Sequence, residues 1–113
     1  MRIVNRKEFL ALPSGTVYCK YHSLANEGDL SIKFKSYTND WTYQIIGDFD
    51  DANNSEELFD KYRKMEKDPA LSFPWIGDTC QRDGLYEDEQ MFIVYSDDDV
   101  LNMIRVLTNT IEG

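Results

Sequence analysis

Apolar and polar residues alternate most cleanly over residues 30–38, with Leu30, Ile32 and Phe34 on one side and Ser31, Lys33 and Lys35 on the other. A period of two is the repeat of a strand with one packed side and one wet side, so this segment reads as a half-buried β-strand. Residues 16–21 (TVYCKY) and 41–46 (WTYQII) concentrate β-branched and aromatic side chains, the types that fit a pleated surface. Asn39-Asp40 reads as a two-residue hairpin turn between the second and third of these strands. It sets an expected register: Phe34 opposite Ile45 and Ser36 opposite Tyr43 on the inner face, Lys35 opposite Gln44 and Tyr37 opposite Thr42 on the outer. Residues 90–95 (QMFIVY) are apolar on both sides, as a central strand requires.

Helical signals separate these strands. Asn5 with Glu8 three residues on forms a capping box, opening a short helix that carries Phe9 and Leu10, with Leu12 just beyond, and must stop before Pro13. Asn54 or Ser55 can cap a second helix, in which Leu58, Phe59, Tyr62 and Met65 share one face and which Asp68-Pro69 ends. Ser96 followed by Asp97, Asp98 and Asp99 starts a third, expected to bury Val100, Leu101, Ile104, Leu107 and Ile111. The stretch 70–86, punctuated by Pro74, Gly77 and Gly84, reads as a long loop holding one short strand near 73–76. Local hairpins dominate this order. The expected fold is therefore α+β: one small domain over 1–113, with a mainly antiparallel sheet of four to five strands packed by two longer helices and a short N-terminal helix.

Composition sharpens the picture. Hydrophobic residues are 42% and aromatics 13% of the 113 positions, enough for a single core. No apolar run is long enough to span a bilayer, and residues 1–12 lack the apolar stretch of a secretory leader. Two cysteines, Cys19 and Cys80, lie too far apart in sequence for a CxxC motif, so a reduced cytoplasmic setting is expected. The formal net charge is −9, unevenly spread: residues 1–38 balance at +3 and the remainder at −12. Acidic side chains gather at 48–60 and 83–99 with no basic residue before Lys61 in the first or anywhere in the second. Such a field repels nucleic acid and anionic lipid and attracts basic protein surfaces.

Catalytic constellations are sparse. Cys19 and His22 are three apart on a strand, hence on opposite faces, which argues against a nucleophilic dyad. Asp48-Phe49-Asp50-Asp51 has the outline of a magnesium site, but Ala52, Asn53 and Phe59 fall where a calcium loop needs ligands or glycine. Glycine-rich phosphate cradles and nucleophile elbows are absent from the sequence. No catalytic residue, metal or cofactor is expected. Two binding surfaces are. The first is an acidic face of Asp48, Asp50, Asp51, Glu56 and Glu57 with Glu87, Asp88 and Glu89. The second is a loop pocket of Lys20, Tyr21, Trp75, Arg82, Asp83 and Tyr86, in which aromatics sandwich a planar ring and the cations hold an anionic group.

The segments LPSGTVYCKY (12–21) and CQRDGLYEDEQMFIVYSDDDVLNMI (80–104) resemble a group of small bacteriophage proteins. The shared pattern is Asn-Arg-Lys-x-Phe-Leu, Leu-Pro-x-Gly-Thr, Lys-Tyr, then Arg-Asp-Gly, an acidic cluster and an apolar strand. The resemblance covers both ends, fades over 22–72, and brings no catalytic residue with it. It implies a protein acting in the cytoplasm of a bacterial host. The expected function is non-enzymatic occupancy of a host antiviral factor, through the acidic face as a nucleic-acid mimic on a basic surface. The alternative is sequestration of a small nucleotide-like ligand in the loop pocket.

Overall fold

Asn5 starts the first helix as its sequence requires. Its side chain accepts from the Glu8 amide at 2.8 Å while Glu8 reaches back to the Asn5 amide, so two otherwise orphaned donors are satisfied. In the computed structural model, which describes residues 1–22, 28–47, 55–75, 77, 80–84 and 87–113, the elements run in this order. They are β1 (Arg2–Val4), α1 (Arg6–Leu10), β2 (Thr16–Tyr21), β3 (Ser31–Ser36), β4 (Trp41–Ile45), α2 (Ser55–Lys67), β5 (Gln81–Asp83), β6 (Met91–Tyr95) and α3 (Asp97–Glu112). The strands form one sheet in the order β1-β6-β2-β3-β4-β5, every neighbouring pair antiparallel. The fold is α+β with six strands, more than the sequence suggested. No helix among the described residues is long and apolar enough to cross a membrane.

The register puts Val4, Tyr18, Trp41, Phe92 and Val94 on one face, and α1 lays Phe9 onto them. Phe9 is fully buried. Its ring stacks on Phe92 with centroids 3.9 Å apart and meets the edges of Tyr18 at 4.6 Å and Trp41 at 5.0 Å. The Trp41 indole donates to the Tyr18 hydroxyl at 2.9 Å, so the polar tips inside this aromatic cluster satisfy one another.

Four expectations need correction. First, β1 and β5 are three-residue strands that no local pattern announced. The strand in the long loop lies at Gln81–Asp83; residues 73–75 are not strand, and Ile76 is outside the described residues. Second, the β3–β4 register differs from the expected one: Lys33 opposes Tyr43, Ser31 opposes Ile45 and Ser36 opposes Trp41. The connection spans 37–40, closed by the Tyr37 amide donating to the Asp40 carbonyl at 2.7 Å, and a bulge between Lys33 and Ser36 swings Trp41 into the core. Third, the polar side of β3 faces the core. Lys33 is buried and donates to the carbonyls of Leu12 at 2.8 Å and Phe34 at 3.2 Å, while Ile32 and Phe34 stay half-buried on the other face. Burial of this ammonium lowers its pKa. Fourth, Leu101, Ile104, Leu107 and Ile111 of α3 are exposed, because the helix leans on β6 by its other side. The capping signal itself holds: Ser96 and Asp99 form a second capping box.

Candidate functional site

The core face of the sheet is covered unevenly. α1, whose five residues include Leu10, shelters the aromatic cluster together with Leu12. Beside that cluster the same face turns polar and opens into a cavity of about 210 Å³, walled by Tyr18, Lys20, Ser31, Tyr43, Ile45 and Asp83 with Gly28 and Asp29 at the rim. Strand alternation brings these together: Tyr18 and Lys20 are two apart on β2, Tyr43 and Ile45 two apart on β4, and Ser31 pairs across with both Tyr18 and Ile45.

Lys20 Nζ sits 2.8 Å from Asp83 Oδ2. Three strand spacings separate β2 from β5, about 14 Å in a flat sheet, so this ion pair marks a sheet curled toward the cavity. The Asp83 side chain is 6% exposed and that of Lys20 35%, with the ammonium also 5.9 Å from the Trp41 ring centroid. Burial pushes the Tyr18 phenol well above its usual pKa, keeping it neutral at any physiological pH. Ser31 is buried and donates to the Asp29 carbonyl at 3.0 Å; Tyr43 donates to the Gln81 side chain at 3.1 Å. At the rim, a Cβ on Gly28 would fall 2.2 Å from the Lys20 backbone nitrogen, so only glycine lets the backbone come this close to β2.

Of the pocket expected from sequence, Lys20 and Asp83 meet, and Tyr21, Trp75 and Arg82 do not line their cavity. Tyr21, the next residue on β2, turns to the opposite face and borders a wider depression with His22, Glu87, Asp88 and Glu89. Arg82 likewise points away from Asp83: it pairs with Asp40, which raises its pKa, and lies 4.3 Å from the Tyr37 ring centroid. Trp75 is largely exposed and lies against Gly77. Tyr86 lies outside the described residues. Of the expected acidic face, five residues are described. Glu56 and Glu57 are exposed on the first turn of α2, and Glu87, Asp88 and Glu89 on the turn before β6. Buried Gln90 anchors that turn by donating to the Tyr21 carbonyl at 3.2 Å and the Met91 carbonyl at 2.8 Å. Asp48, Asp50 and Asp51 lie outside the described residues.

Cys19 is buried on the face away from the cavity, its Sγ 3.6 Å from the Tyr95 hydroxyl, while His22 is exposed at the end of β2. Burial and the thiol together push the Tyr95 phenol up to about 12. Among the described residues no three His, Cys, Asp or Glu side chains gather where they could hold a metal ion. Chemically, the cavity presents one ammonium, two carboxylates at wall and rim, a buried hydroxyl and two phenol rings. That set favours a small ligand richer in hydrogen-bond donors than in negative charge. The sequence reading missed Tyr18, Asp29, Ser31, Tyr43 and Ile45. The signal that could have found them was a tyrosine and a lysine alternating on one side of β2, where two apolar residues would serve a core. No protein-family model, curated protein or solved structure matches the chain.

Proposed function

We propose that the protein is a non-enzymatic binding protein that captures a small nucleoside-like ligand in the cavity between Tyr18, Lys20, Tyr43 and Asp83. One observation carries this reading: an ion pair with a buried carboxylate and a buried serine lie on the core face, beside the aromatic cluster, in a chain of 113 residues. A domain this small has little core to spare, and replacing a buried pair with well-packed apolar residues is commonly neutral or stabilising. Polar residues kept at such a place suit a ligand better than they suit stability. The half-buried Tyr43 ring supplies stacking surface, Asp83 and Asp29 accept from hydroxyl or amine donors, and Lys20 takes a carbonyl or a single anionic oxygen. At about 210 Å³ the cavity is below the range of drug-sized sites, so it holds one ring or sugar while the remainder of a larger ligand projects through the mouth. The resemblance to phage proteins supplies the setting, sequestration of a host signalling molecule in the bacterial cytoplasm.

A second reading keeps the acidic surface. Glu87, Asp88 and Glu89 are consecutive, exposed and fixed by Gln90, which supports docking on a basic host protein. The two readings separate in a thermal-shift panel of nucleosides and mononucleotides. A ligand at one hundred times its Kd adds about 2.7 kcal/mol and raises Tm by about 10 °C. The shift should vanish in Ile45→Trp, which fills the cavity while leaving both charges of the ion pair in the chain. If no compound shifts the melt, or if Ile45→Trp retains the shift, the ligand reading is wrong.

A further inference from the structure

The cavity wall carries an ordered row of hydrogen-bonding groups. Lys20 Nζ and Asp83 Oδ2 lie 2.8 Å apart, and both residues line the cavity. An ammonium has three N–H donors and no acceptor, while a carboxylate has two acceptor oxygens with about four lone-pair sites between them. The bond between the two uses a single donor and a single lone pair, so each group keeps capacity for a ligand. Along the wall the pair therefore offers donor, acceptor, acceptor, the last two being the Asp83 oxygens. The Tyr43 ring, half-buried on the same wall, gives a planar ligand a face to lie against. A flat ring edge that pairs with this row must offer acceptor, donor, donor in that order.

We infer that the ligand of this cavity presents a 2-amino-4-oxopyrimidine edge, the edge that guanine and the pterins share. This rests on the ligand reading proposed above and names the chemistry that the same site selects. The ring carbonyl accepts from Lys20, and the adjacent ring N–H and the exocyclic amine donate to the two oxygens of Asp83. The contact is bidentate and charge-assisted, and the Asp83 side chain is 6% exposed, so water competes little for it. Other bases break the row at a definite place. Adenine and cytosine put a ring-nitrogen lone pair at its centre, against a carboxylate oxygen. Uracil and xanthine match the first two places and set a carbonyl against the second oxygen. Hypoxanthine leaves that place with a C–H. A buried carboxylate repels an acceptor, and a missing donor leaves it short of a partner. The charge balance agrees. Lys20 against Asp83 and Asp29 leaves the cavity one negative charge in excess, which suits a neutral edge with two donors.

Isothermal titration of the full chain with guanosine, inosine, xanthosine, adenosine, cytidine, uridine and neopterin tests this edge. Guanosine or neopterin should bind tightest, and the one that leads tells a nucleoside source from a pterin. Inosine, which lacks only the amine of guanosine, should bind about 10- to 100-fold more weakly, the value of a hydrogen bond to a charged group. Adenosine and cytidine should be weaker still. Asp83→Asn exchanges one acceptor for an amide donor, so it should weaken guanosine and bring xanthosine to equal or tighter affinity. The wild-type ranking needs no variant and decides the question even if Asp83→Asn fails to fold. Adenosine, cytidine or uridine binding as tightly as guanosine and neopterin would overturn the edge and leave the cavity reading standing. Inosine equal to guanosine, or a folded Asp83→Asn that still prefers guanosine to xanthosine, would overturn it in the same way. No binding by any compound would overturn the edge and the ligand reading together.

Discussion

Replacing Lys20 by methionine isolates the ion pair at the cavity wall. The stem of the side chain is kept, so packing across the sheet changes little, while Asp83 loses its cation. Removing one partner of a fully buried pair costs about 3–5 kcal/mol, and an exposed pair contributes at most about 1 kcal/mol. Here the carboxylate is 6% exposed and the lysine 35%, so the expected loss lies between these limits, about 2 kcal/mol. In urea that is a midpoint lower by about 1 M at unchanged slope. The double variant Lys20→Met with Asp83→Leu removes both charges and supplies apolar volume. It should recover to within about 1 kcal/mol of the wild type, or exceed it, because the desolvation penalty disappears with the pair. A double variant as unstable as Lys20→Met would refute the reasoning, since the pair would then be kept for stability and not for a ligand. A single variant indistinguishable from wild type would refute the burial on which the magnitude depends.

Phe9→Ala should lower stability by about 3–5 kcal/mol and Tm by about 15 °C or more, because the ring is fully buried against Phe92, Tyr18 and Trp41. A calorimetric loss under about 1 kcal/mol would mean that α1 does not close the core. At the other face, the Met1 amine 2.7 Å away and the Ser96 amide at 2.9 Å hold the Asp99 carboxyl at about 2, below its ordinary 3.8. A depressed folded-state value stabilises fully above 3.8, and that stabilisation fades as pH falls toward 2. An NMR titration of Asp99 should give a midpoint near 2 that rises on N-terminal acetylation; a midpoint of 3.8 in both forms would deny the contact.

Local signals wrote most of the elements plainly. Asn5 with Glu8 and Ser96 with Asp99 announced two helices through capping chemistry that acts within four residues, and the alternation along β3 announced its strand. What alternation cannot say is which side faces the core. Lys33 went inside because its stem spans the interior and its ammonium reaches two carbonyls, a solution set by the chain reversal at Leu12 and not by β3. The β3–β4 register turned on the same kind of distant fact, the place made for Trp41 beneath Phe9. At the candidate site, Lys20 and Asp83 were legible as charged residues among aromatics, but their meeting depends on sheet order and curl. Convergence of the 20–22 and 81–86 segments would put Arg82 and Tyr21 in the same pocket, but both segments run as strands, and alternation sends each of the two to the opposite face.

Native mass spectrometry of the protein incubated with small molecules extracted from bacterial cells tests the central claim most directly. The account predicts that wild-type chain retains a species of nucleoside or mononucleotide mass, released on denaturation, and that the folded double variant Lys20→Met with Asp83→Leu retains none. A species held equally by both, or no retained species from any extract, would contradict it.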